Sequence, residues 1–203
     1  SGKHTIKKPP NEFNPDELKV LKVRVCLLLQ FCQYCVQNNF NELSITLFHS
    51  KESIETTVVF LLKQHQFNMA YDIYTNYNLS IHPIANKLTD LLFNEDDQTI
   101  ISFIEKIMEF SNLKFSESLI SLILMRLFYV HQNQDFANYI ISHAIKDPDF
   151  KCRLLVQFMN IEDAFQIAKT QHITHLLPLI GNIAQSKNLA VIVNDVTRIL
   201  SKQ

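Results

Sequence analysis

The chain has 203 residues, 47% of them hydrophobic, and 19 Lys plus Arg against 20 Asp plus Glu give a net charge of −1. That length and apolar content are ample to bury a core, as one elongated domain or two small ones, and the balanced charge argues against a nucleic-acid partner, which calls for a basic excess or stripe. Glycine occurs only at Gly2 and Gly181, too rarely for the positive-φ turns and bulges of a sheet protein, so helices joined by Asn, Asp, Ser and Pro corners are expected.

Residues 1–13 are polar, hold the only basic cluster (KHTIKK) and include Pro9-Pro10. They are expected to be a linker that starts with a Ser-Gly cloning scar, ahead of a fragment of a larger protein over 14–203. At Asn14-Pro15-Asp16-Glu17 a capping Asn, a first-turn Pro and an acid at capping-box spacing coincide, which marks a helix start. The helix that follows carries Leu18, Leu21, Val25, Leu28, Leu29 and Cys32 on one stripe, and Val20, Val23, Leu27, Phe31 and Tyr34 on a second. A helix apolar on two faces is expected to be packed on both.

Further helices are expected near 40–49, 53–65, 67–76, 80–91, 95–110, 116–131, 134–145, 148–158, 161–170, 172–180 and 187–201. Their start signals are Ser80 before Pro83, Asn94 before Glu95-Asp96-Asp97, Asp147 before Pro148, and Asn160 before Asp163. The apolar runs VRVCLLLQFCQYCV and LISLILMRLFYV are interrupted by Gln or Arg and fall short of the about 20 apolar residues a bilayer requires. No signal-peptide pattern is visible, and no transmembrane segment is expected.

Three stretches repeat one design. LLKQHQFNMAYDIY, LFYVHQNQDFANYI and LLVQFMNIEDAFQIA each run from an apolar helix end through a polar corner to an Ala followed three residues later by Ile. The pairs are Ala70 with Ile73, Ala137 with Ile140, and Ala164 with Ile167. A small residue early in the second helix lets two antiparallel helices approach closely, the mark of a reused helical hairpin. Hairpins unable to bury both faces alone must stack, so the expected fold class is all-α, an irregular helical-hairpin α-solenoid of about 10–12 helices.

No residue cluster signals chemistry. Cys32 and Cys35 have CxxC spacing, but they lie deep in a helix rather than at a helix start where a thiol is activated, and Cys26 and Cys152 offer no matching second pair for zinc. All four thiols are expected to be reduced, as in a cytosolic protein, and the Cys32/Cys35 pair to be core packing. His172 and His175 share a helical face without the acid of a metalloprotease motif and are expected to be surface residues. Asp96, Asp97 and Glu117 suit helix first turns. Phe103, Ile107 and Phe110, with Leu119, Ile120, Leu122, Ile123, Leu124, Leu127 and Phe128, are expected to be core between hairpins rather than partner grooves. With no glycine for a phosphate loop or a nucleophile elbow, an enzyme, a cofactor and a small-molecule substrate are not expected.

From about Gln134 to Ile180 the text NQDFANYIISHAIKDPDFKCRLLVQFMNIEDAFQIAKTQHITHLLPLI resembles the carboxy-terminal helical region of the class C vacuolar-sorting tether subunit, found in the HOPS and CORVET complexes. The shared features are an Ala-bearing helix, an Asp-Pro loop at Asp147-Pro148, a helix of charged residues and Leu, a corner, and a final helix with paired leucines. Residues 40–93 also look similar to hairpins of outer-ring nucleoporins and kinetochore-derived tethers. The resemblance implies a non-enzymatic scaffold that holds an SM-family SNARE chaperone, cytoplasmic and peripheral to endosomal or lysosomal membranes. The alternative is a solenoid subunit of a nuclear pore or kinetochore assembly. Lys151, Arg153, Phe158, Gln166 and Lys169 flank the matched corner and are the partner-binding candidates, each also readable as an ordinary solvated edge residue.

Overall fold

The structure, a computed structural model, describes residues 14–40 and 50–201. The expected linker 1–13 and, apart from Phe40, the helix expected near 40–49 lie outside the described residues. Those described form eleven α-helices and no strand. They are α1 (Pro15–Gln37), α2 (Lys51–Lys63), α3 (Phe67–Asn76), α4 (Ile81–Leu92), α5 (Asp97–Met108) and α6 (Leu113–Tyr129), then α7 (Gln134–His143), α8 (Pro148–Gln157), α9 (Ile161–Thr170), α10 (Leu177–Ser186) and α11 (Ala190–Leu200). A short 3₁₀ turn, Thr174–Leu176, leads into α10. The architecture is the expected all-α helical-hairpin stack.

The chain divides into two compact units, Ser1–Ser80 and Ile81–Gln203. In the first, α2 and α3 form a hairpin and α1 packs on α3. Its core is Phe31 and Cys35 of α1, Val58, Leu61 and Leu62 of α2, and Ala70 and Ile73 of α3, all fully buried. In the second unit α4 and α5 both pack on α6, and the hairpins α6–α7, α8–α9 and α10–α11 follow in series. Its core is built from Ile84, Leu88, Ile104, Ile107, Leu119, Ile120, Ile123 and Leu124. Each such side chain withdrawn from water contributes about 1.5–3 kcal/mol before conformational entropy is set against it. Phe103, Phe110 and Leu127 are buried with them, so most of the Phe- and Leu-rich stripes are core as expected, but Leu122 and Phe128 are only half-buried, because they lie off the face that α6 turns to its neighbours.

The caps show how side-chain chemistry starts the helices. Asn14 accepts from the Asp16 amide at 3.1 Å ahead of Pro15, and Asp147 accepts from the Phe150 amide at 2.7 Å ahead of Pro148. Two expected caps differ. Before α5 the cap is Asp96, which takes the Thr99 amide at 3.0 Å and its hydroxyl at 2.7 Å; Asn94 instead donates back to the Asp90 carbonyl. Asn160 spends its side-chain amide on Asp163 at 2.8 Å rather than on a backbone N–H.

The hairpin corners share one backbone device. His65, Met159 and Asn188 each adopt a left-handed conformation (φ 55°, 62° and 58°) directly after a helix cap. The next residue sends its N–H back to the helix, Gln66 to Leu61 O, Asn160 to Leu155 O and Leu189 to Ala184 O at 2.8–2.9 Å, and is itself the N-cap of the following helix. This satisfies the orphaned carbonyls of the first helix. The α6–α7 corner is one residue longer, with Gln132 left-handed and Asn133 bonding back to Leu127 O. Ala70, Ala137 and Ala164 are all fully buried where the second helix leaves the corner.

Two helix boundaries and one packing expectation are corrected. Gly181 does not separate two helices, as the 172–180 and 187–201 boundaries implied; it lies within α10, where a Cβ would sit 3.0 Å from Val196 Cγ1 of α11. The fourth hairpin thus obtains its close approach from a small residue on its first helix. In α1 only Leu27, Phe31 and Cys35 are buried, whereas Leu18, Leu21, Val25 and Leu29 of the other stripe are exposed. Finally, α1 runs unbroken through Gln30 and Gln33 for 23 residues and contains an 18-residue stretch that, by length and composition only, is apolar enough to cross a membrane.

Candidate interaction surface

The second unit brings its hairpin corners together along one edge. Phe158, the cap of α8, lies with its ring centroid 4.9 Å from Phe128 and 6.2 Å from Tyr129, both at the end of α6. Lys187, the cap of α10, donates its ammonium to the Met159 carbonyl at 2.9 Å. At the α4 end Phe93 stacks on His131 with centroids 4.1 Å apart. Asp90 beneath them receives a two-pronged bond from Arg126, Nε at 2.9 Å and Nη2 at 2.8 Å. His131 Nε2 lies 3.3 Å from the same carboxylate, off the line of a hydrogen bond.

This edge is apolar and open. Phe93, Tyr129, Val130 and Met159 are 45–59% exposed, over a floor of buried Phe158. Exposed aromatic and Met side chains beside a packed aromatic floor have the composition of an interface centre. Met159 is the bulkiest of the left-handed residues and has no side-chain amide to bond locally, so it bears a strain that Asn largely escapes.

The five candidate residues fall into three settings. Phe158 belongs to the edge just described. Lys151, Arg153 and Lys169 tie neighbouring helices together. Lys151 donates to the Ser142 carbonyl of α7 at 2.6 Å. Arg153 bonds Asp149 on its own helix at 2.8 Å and Glu117 of α6 at 2.9 Å, and its guanidinium lies 5.2 Å from the Phe150 ring centroid. Burial opposes the Arg153 charge, but the two carboxylates outweigh it and hold its pKa above the ordinary value. Lys169 lies over the Phe165 ring and pairs with Asp195 of α11 at 3.0 Å, and that contact leads the effects that lower the Asp195 pKa. Gln166 is exposed and lines an open depression of about 530 Å³ with Glu162 and the start of α11.

His175 Nε2 stands 3.0 Å from Asp149 Oδ1 and joins the Arg153 cluster, while His172 is the left-handed residue after α9. Cys35 is buried, and burial, with a smaller effect of Cys32, raises its thiol pKa. Cys152 donates to the Ala164 carbonyl at 3.3 Å, and burial above all pushes its pKa up to about 11. Among the described residues no three His, Cys, Asp or Glu side chains converge as metal ligands would. No protein-family model, curated protein or solved structure matches this chain. The functional reading therefore rests on the chain's own geometry and on the pattern of residues 134–180.

The apolar edge was not evident from the sequence. Tyr129-Val130 and Phe158-Met159 are separated by a whole helix pair, and only the stacking of corners makes them neighbours. The available signal was the coincidence of a bulky apolar pair with two helix ends in a chain whose other corners are Asn-, Gln- and His-rich.

Proposed function

We propose that this chain is a non-enzymatic scaffold of a vesicle-tethering assembly, whose second unit holds a large folded partner of the SM-family SNARE-chaperone kind at endosomal or lysosomal membranes. The observation that carries the scaffold reading is the aromatic and Met edge formed by Phe93, Tyr129, Val130 and Met159. Interfaces with folded proteins bury on the order of 1,600 Å², with the energy concentrated in a few aromatic and Arg anchors. The tether reading is supported by the residues 134–180, whose resemblance covers one of the corners on that edge, that of Phe158 and Met159. The hairpin pattern of 40–93 favours the alternative, a scaffold subunit of a nuclear pore or kinetochore assembly.

Affinity capture with the whole chain, beside a Tyr129→Glu/Met159→Glu variant of unchanged circular dichroism, tests both readings. Recovery of an SM-family protein by the parent chain and its loss with the variant is the expected result. Nucleoporins or kinetochore subunits in its place would move the proposal to the alternative, and capture indifferent to the variant would remove the edge from it.

A further inference from the structure

The first unit carries a second open apolar surface. Leu18, Leu21, Val25, Leu29 and Val36 lie on one face of α1 and are 47%, 54%, 46%, 58% and 62% exposed. From Leu18 to Val36 the stripe covers five helical turns, a length of roughly 27 Å. The core-facing stripe, Leu27, Phe31 and Cys35, lies about a third of a turn away. Exposed Lys19, Lys22, Gln30, Gln33 and Gln37 share the remaining side with exposed Val23 and Cys26.

We propose that this stripe pairs with the same stripe of a second copy of the chain, forming a two-helix seam. Three features select that occupant. A straight apolar stripe bounded by polar side chains matches the width of one helix, whereas immersion in a bilayer would submerge Lys19, Gln30, Gln33 and Gln37 together with the apolar face. The helix is also fixed from the other side: Arg24 donates to the Asn76 carbonyl at 3.1 Å and lies 4.9 Å from the Tyr77 ring centroid, which a membrane-spanning position would break. Glu17 and Lys22 flank the stripe five residues apart, the spacing that in a parallel helix pair sets Glu17 of one copy against Lys22 of the other, twice by symmetry.

Two such helices side by side bury on the order of 1,000 Å², the lower limit of a specific interface. The inference does not depend on the tether reading, because it concerns a different unit and a different face.

Sedimentation equilibrium of the whole chain from about 1 to 100 μM tests it. A monomer–dimer equilibrium is expected. Val25→Asp, at an exposed position that leaves the helical circular dichroism unchanged, is expected to weaken it by roughly tenfold or more. Glu17→Lys is expected to weaken it several-fold and Glu17→Lys/Lys22→Glu to restore it, a reciprocity that nonspecific stickiness lacks. A monomer at every concentration overturns the proposal, as does a dimer indifferent to Val25→Asp or a double charge swap that fails to restore pairing. A monomeric chain that floats with phosphatidylcholine–phosphatidylserine vesicles overturns it in favour of lipid.

Discussion

Met159 concentrates several of this protein's physical demands in one side chain. It takes the left-handed conformation that turns α8 into α9, stands half-exposed on the apolar edge, and offers its carbonyl to Lys187. A non-glycine residue in that conformation costs about 1 kcal/mol. Met159→Gly is therefore expected to raise stability by up to about 1 kcal/mol, read from the urea midpoint, while weakening partner capture; Asn188→Gly, where the parent residue already tolerates the geometry, is expected to change stability by only a few tenths of a kcal/mol. Arg153 behaves in the opposite sense. Arg153→Met leaves Glu117 and Asp149 without the cation between them, and because the site is partly exposed the loss is expected to be only about 1 kcal/mol. Met159 was hard to read in advance because glycine, the usual sign of such a corner, is nearly absent from the chain. The partners of Arg153 were hidden for another reason, since Glu117 lies on a different helix. Ala70, Ala137 and Ala164 were legible, because the demand for a small residue recurs at a fixed offset from each corner.

Among the elements, the α10–α11 hairpin shows how tightly the fold couples paired helices. Gly181 leaves 3.0 Å between a would-be Cβ and Val196 Cγ1. In an exposed helix interior Gly→Ala stabilises by about 1 kcal/mol, but here the added methyl meets a β-branched, nearly rigid side chain. Gly181→Ala is therefore expected to destabilise, and Gly181→Ala/Val196→Ala to be more stable than the two single changes predict by about 1 kcal/mol, which a double-mutant cycle measures. The same helix carries a pH-dependent tie. Lys169 of α9 lowers the Asp195 pKa below its ordinary 3.8. A depressed carboxylate contributes stability that is fully present well above the unfolded pKa and is lost as pH falls through the folded one. Asp195→Asn is thus expected to lower the urea midpoint at pH 7, and the difference from the parent chain to shrink as pH drops below about 4. The helix count and most helix starts were readable from period and caps. The α10 boundaries were not, because a glycine inside a helix and one that ends it look alike until the facing helix is known.

Across the whole molecule, burial is uneven, and that sets where the chain opens. In α6 the residues from Leu119 to Leu127 include Leu119, Ile120, Ile123, Leu124 and Leu127, all buried, whereas every residue from Pro15 to Val23 of α1 is exposed. Hydrogen exchange is expected to be slowest in α6 and fastest among the helical amides of the start of α1, and to slow at that start as protein concentration rises if the seam forms. Equal protection in the two regions at low concentration would contradict the exposure of the α1 stripe. By itself the sequence determined the all-α class, the reuse of a hairpin and the chemistry of its corners, because these follow from backbone dihedral preference, capping and a 3.6-residue apolar period, all of which act over a few neighbouring residues. Tertiary structure alone decided which apolar stripe is core and which stays open, since Leu27 and Leu29 of α1 are equally apolar and differ only in what packs against them. It alone also gathered Phe93, Tyr129, Val130 and Met159 into one surface, because contact across helices depends on how hairpins stack, and no local period encodes that.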